Sequence, residues 1–126
     1  MKRILLVLLI LVVAAGASAG LFEIRSRFFS KWFTGVVYDD RVHYLSCAEL
    51  PPVADVEQAL RDHPDTVDQI IEITGDPFSI QPSNGDRDCT ETGDILITHC
   101  CRDVRAKVEQ LLGDTFFGIP YRMHNI

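Results

Sequence analysis

The sequence predicts an α+β protein: an N-terminal hydrophobic helix followed by a small antiparallel-sheet α/β sandwich. Three observations predict it. Residues 4–22 form a run of 19 without a charge. From residue 35 onward, segments with strand periodicity alternate with segments of helical periodicity. At 126 residues, the chain has room for one domain beyond that run.

The N-terminal run follows Lys2-Arg3. Nineteen residues at ~1.5 Å each span a hydrocarbon core of ~30 Å. Its densest part, residues 4–15, is short and is followed by Ala17-Ser18-Ala19. A basic start, a short apolar stretch and small residues at an A-x-A site read as a secretory signal peptide. Continuation through Leu21-Phe22 reads instead as a retained transmembrane anchor, so residues 1–22 are assigned as one or the other. Residues 23–34 form an amphipathic juxtamembrane segment. On a helical wheel Phe22, Phe28, Phe29, Trp32 and Phe33 share one half, Arg27 and Lys31 take the other, and Arg25 intrudes on the apolar side. Aromatic rings opposite basic side chains suit the membrane–water interface.

Residues 35–126 are expected to form the acidic α+β domain. Val36-Val37-Tyr38 and residues 41–45 read as strands flanking a turn at Asp39-Asp40. Pro51-Pro52 opens a helix with Val53, Val56 and Leu60 on one face. After Pro64, Val67, Ile70 and Ile71 mark a second helical stripe ending at Gly75, although residues 70–73 also fit a strand. Phe78 and Ile80 alternate as a strand, residues 83–93 are a polar loop, and Ile95-Leu96-Ile97 is a buried strand. Val104, Val108, Leu111 and Leu112 define a helix stopped by Gly113, and Ile119, Tyr121 and Met123 alternate as a closing strand. After its extra N-terminal hairpin strand, the order is β-α-β-β-α-β, the ferredoxin-like arrangement. That topology has strand order 4-1-3-2 and is antiparallel throughout.

The cysteines stand at 47, 89, 100 and 101. In the ferredoxin-like order, the end of the first strand and the loop between the second and third share one end of the sheet. Cys47 and Cys89 are therefore the expected disulfide. Cys100 and Cys101 fall at the opposite end, where a strand meets a helix N-terminus. His99 precedes them, and the same topology brings His43 and His124 to that end. Imidazole and thiolate together suit zinc or copper(I), or thiol redox chemistry. The spacing includes neither C-x-x-C nor H-x-x-x-H, so no cofactor is expected, and a metal at these residues is the alternative. Asp86, Asp88, Glu91 and Asp94 lack the spacing of a calcium loop.

Charge excludes one class of function. Residues 34–126 carry 7 Lys and Arg against 17 Asp and Glu, a net −10. Such a surface repels phosphate backbones, so nucleic acid is not an expected partner. No nucleophile elbow or phosphate loop is present. The functional expectation is a membrane-associated or exported accessory domain that binds a protein partner without catalysis. It lies on the extracytoplasmic side of the cell membrane, or is secreted or periplasmic if cleaved after Ala19. The alternative is a small thiol-redox or metal-binding protein using His99, Cys100 and Cys101.

Overall fold

The computed structural model describes residues 39–85 and 88–126. The signal peptide or anchor expected over residues 1–22, the juxtamembrane segment 23–34 and the strand Val36-Val37-Tyr38 lie outside them. No helix among the described residues is long and apolar enough to cross a membrane.

The described chain is α+β, with three α-helices and a three-stranded mixed sheet. A 3-10 turn, Cys47–Glu49, precedes α1 (Val53–Asp62) and α2 (Pro64–Thr74). Then come β1 (Ile80–Ser83), β2 (Asp94–His99), α3 (Arg102–Leu112) and β3 (Tyr121–Asn125). Pro64 ends α1 and begins α2, because a proline lacks the N–H that a first helical turn leaves unused. Gly75 ends α2 in the left-handed conformation, φ 75°, and its N–H reaches the Ile71 carbonyl at 2.8 Å. Residues 70–73, which also fit a strand, are helical.

The helices cover one face of the sheet. Val56 of α1, Ile70 of α2 and Val108 of α3 meet Ile95, Ile97, Tyr121 and Met123, with Phe116 and Ile119 completing the core. Strand alternation sends Asp94, Leu96, Thr98, Arg122 and His124 to the other face.

Sheet order departs from the sequence expectation. β1 pairs antiparallel with β2, but β2 pairs directly with β3, in parallel, from Ile95 opposite Tyr121 to His99 opposite Asn125. A ferredoxin-like sheet would insert the first strand between these two. Here that segment, residues 41–45, stays outside β3 and makes a single antiparallel bridge, Arg41 with Met123. Its backbone explains why. Tyr44 has a φ of 59°, a left-handed value that turns the chain away after the bridge. With nothing inserted, two strands joined by a crossover helix run parallel as neighbours. The other correction concerns Phe78. It is 81% exposed in a turn whose Asp76 carboxylate accepts the Phe78 N–H at 2.9 Å, and the strand begins only at Ile80.

Candidate functional site

One end of the sheet is closed covalently. Cys47 and Cys89 lie at disulfide distance, their Cα atoms 5.6 Å apart. Three hydrogen bonds run alongside. Thr92 Oγ1 donates to the Cys47 carbonyl at 2.8 Å, Val53 N–H to Glu91 at 3.1 Å, and Gly93 N–H to Pro51 at 2.9 Å. Gly93 is required by this packing, since a Cβ there would stand 2.2 Å from the Ser83 carbonyl oxygen.

Beside this closure lies a buried charged cluster. Asp94, the first residue of β2, has a side chain with no exposure. Its Oδ2 is 2.7 Å from His43 Nε2 and accepts from Arg122 Nε, while Arg122 Nη2 donates to Ser83 Oγ at 2.9 Å. Burial pushes the Asp94 carboxyl up, but the hydrogen bonds from His43 and Arg122 and the Arg122 charge outweigh it and hold the group below the usual aspartate value. His43 Nδ1 accepts the Leu45 N–H at 3.1 Å, so Nε2 carries the proton given to Asp94. An imidazole paired with a carboxylate serves as a general base only when its second nitrogen faces a substrate. Here that nitrogen is occupied by backbone. The cluster therefore acts as a clamp, joining β1, β2, β3 and the 41–45 segment.

The opposite end carries the other two cysteines. Both are exposed, with sulfurs 2.6 Å apart. Cys101 is the N-cap of α3, and its carbonyl accepts the Arg105 N–H at 3.1 Å and faces His99 Nδ1 at 3.1 Å. A carbonyl only accepts, so the proton of His99 is on Nδ1. Nε2 of this buried ring has no hydrogen-bond partner among the described residues. Below the ring, Asp39 lies 3.3 Å from Arg105 Nε and 3.9 Å from His99 Nδ1. The hydrogen bond with Cys101 raises the Cys100 thiol above the ordinary cysteine value.

The structure thus brings His99, Cys100 and Cys101 together and separates the other two candidate histidines, His43 and His124, from them. His43 belongs to the Asp94 cluster, at the far end of β2. His124 lies opposite Thr98 on the other face and sits 3.3 Å from the Asp40 carboxylate. No group of three or more His, Cys, Asp or Glu among the described residues is placed to hold a metal ion. Asp94, one of the acids weighed for calcium, is already taken by His43 and Arg122. The interfacial set Phe22, Arg25, Arg27, Phe28, Phe29, Lys31, Trp32 and Phe33 lies outside the described residues.

A surface feature adds to these. Phe116 is buried, whereas Phe117 is 56% exposed and adopts a positive φ of 50°. Its ring stacks on His63, centroids 3.4 Å apart and planes 3° from parallel. Beside it Thr66, Leu111, Leu112 and Thr115 line a shallow cleft of about 320 Å³. Comparison with protein-family models, with curated proteins and with solved structures gives no match.

Proposed function

We propose that this chain is an exported, membrane-proximal binding module whose domain engages a protein partner on the extracytoplasmic side. The observation that carries the reading is the Cys47 and Cys89 pair at disulfide distance. Such bonds persist in oxidising compartments and are rare where thiols are kept reduced. The basic start, apolar run and Ala17-Ser18-Ala19 of the sequence give the route there. Residues 1–22 act as signal peptide or anchor, and the aromatic and basic side chains of residues 23–34 keep the domain beside the bilayer. The Phe117 cleft is the contact surface: an exposed aromatic ring held by stacking on His63 loses little freedom on binding.

The test is protease accessibility in intact cells combined with the intact mass of the mature chain. Digestion of the domain from outside, with the Cys47 and Cys89 bond closed on acid trapping, is expected. A protected domain with both thiols reduced would sink the reading. Loss of residues 1–19 selects the secreted form, and their retention selects the anchored one. A second reading, thiol chemistry at Cys100 and Cys101, is favoured by the 2.6 Å approach of their sulfurs.

A further inference from the structure

We infer that Cys100 and Cys101 form a thiol–disulfide exchange site that closes reversibly to a vicinal disulfide against an external disulfide, a step that rests on the thiol reading and not on export. Three features of the β2–α3 junction carry it. The two sulfurs lie 2.6 Å apart, well inside non-bonded contact and about 0.6 Å beyond a covalent S–S bond. Both residues are exposed, so an incoming disulfide reaches them without opening the fold. Their backbone is also fixed from within. The Cys101 carbonyl is held by the Arg105 N–H of α3 and by the Nδ1 proton of buried His99, each at 3.1 Å. The pair is thus presented in one geometry before any reaction, and ring closure costs little additional ordering.

The chemistry balances as two exchanges. Cys101, at the N-cap of an 11-residue helix, is the attacking group, because the hydrogen bond between the two sulfurs keeps the proton on Cys100. The thiolate forms an S–S bond to one sulfur of the external disulfide. The other sulfur leaves with the electron pair and takes a proton. Cys100, as thiolate, then attacks the Cys101 sulfur and expels the second thiol. The net change converts two cysteine thiols and one disulfide into the vicinal disulfide and two small thiols, and two electrons pass to the external disulfide.

The experiment uses the full-length chain equilibrated with glutathione and glutathione disulfide over a range of ratios, acid-quenched, alkylated and mapped by mass. The peptide carrying residues 100 and 101 is expected to move between a doubly alkylated form and an unalkylated form two hydrogens lighter than the free dithiol, reversibly, while Cys47 and Cys89 stay closed throughout. Cys100→Ser should accumulate a mixed disulfide with glutathione on Cys101, since no resolving thiol remains. Cys101→Ser should form its mixed disulfide about tenfold more slowly. Double alkylation at every ratio, a bond from either cysteine to a second chain, or a persistent mixed disulfide in the unaltered chain would overturn the inference. Each of those outcomes leaves the export reading standing, because that one is decided by protease accessibility and mature mass.

Discussion

Replacing both Cys47 and Cys89 by alanine tests how much of the fold rests on one covalent link. The link closes a loop spanning 42 positions of sequence. In the chain-entropy account, a loop of that length restricts the unfolded chain by about 4 kcal/mol at 25 °C. Domains of this size have a total stability of about 5–15 kcal/mol, so the loss is a large share. The assay is urea unfolding of the full-length chain, with Cys100→Ser and Cys101→Ser in the background so that no other thiol intervenes. With a slope of about 1–1.5 kcal/mol/M, the midpoint should fall by about 3 M. The slope itself should rise, because an unlinked unfolded chain exposes more surface. In a thermal scan the same loss corresponds to a drop of about 16–30 °C. A midpoint shift below about 0.5 M with an unchanged slope would refute the reasoning. The hydrogen bonds from Thr92, Val53 and Gly93 would then be sufficient to hold the 47–53 segment without the bond.

Three other perturbations probe the remaining devices. Asp94→Asn should destabilise the domain by about 3–5 kcal/mol at pH 7, because Arg122 loses its buried counter-charge and His43 its charged acceptor. The Asp94 carboxyl lies below its ordinary value of 3.8, so its contribution is complete above about pH 4 and is lost as pH falls through the native value. The unaltered chain should therefore lose melting temperature more steeply than Asp94→Asn in that acid window, and parallel curves would contradict the clamp. Gly93→Ala should cost about 1–3 kcal/mol in urea unfolding, since its Cβ meets the Ser83 carbonyl at 2.2 Å; an unchanged midpoint would show that the β1–β2 closure yields freely. Tyr121→Phe removes the donor that reaches the Gly113 carbonyl at 2.6 Å and should lower stability by about 1–2 kcal/mol with the core otherwise kept. Burial raises the Tyr121 hydroxyl above its usual value, so its contribution to stability is complete below the ordinary tyrosine range and is lost as pH rises through the raised native value, which a high-pH series of urea midpoints reads.

The helices were legible because their signals are local. Val53, Val56 and Leu60 share one face, Pro64 and Gly75 punctuate, and Gly113 stops α3. Leu111 departs from its stripe and is 38% exposed, beside Phe117 rather than in the core. The sheet order was not legible. Local patterning says that a segment can be extended, but not on which side of β3 it lies. That choice depends on Asp94, whose partners His43 and Arg122 stand 51 and 28 positions away. An acid placed just before Ile95-Leu96-Ile97 looks like a loop residue until those partners are known. The left-handed backbone at Tyr44 had no signal either, since tyrosine adopts it rarely. At the thiol end, His99, Cys100 and Cys101 were readable by adjacency. The removal of His43 and His124 from them follows from the sheet order and from the two faces of a strand.

The single bridge between Arg41 and Met123 also has a mechanical meaning. A pull on the chain from upstream of Asp39 enters the domain at its edge, across the Asp39 pair with Arg105, the Asp40 contacts with His124 and the Asn125 N–H, and the one bridge at Arg41 with its Glu109 pair. These are loaded one after another, like a zip, and not all at once. The unwinding next meets His43 at the Asp94 clamp, and then the bond at Cys47, which force of that size does not break. Residues 39–46 are thus a short extensible leader, and the load beyond them passes to Cys89 and the β1–β2 loop, bypassing α1 and α2. A domain held by its N-terminal side would lengthen by a few residues under tension and keep its core, its Phe117 cleft and its thiol pair intact.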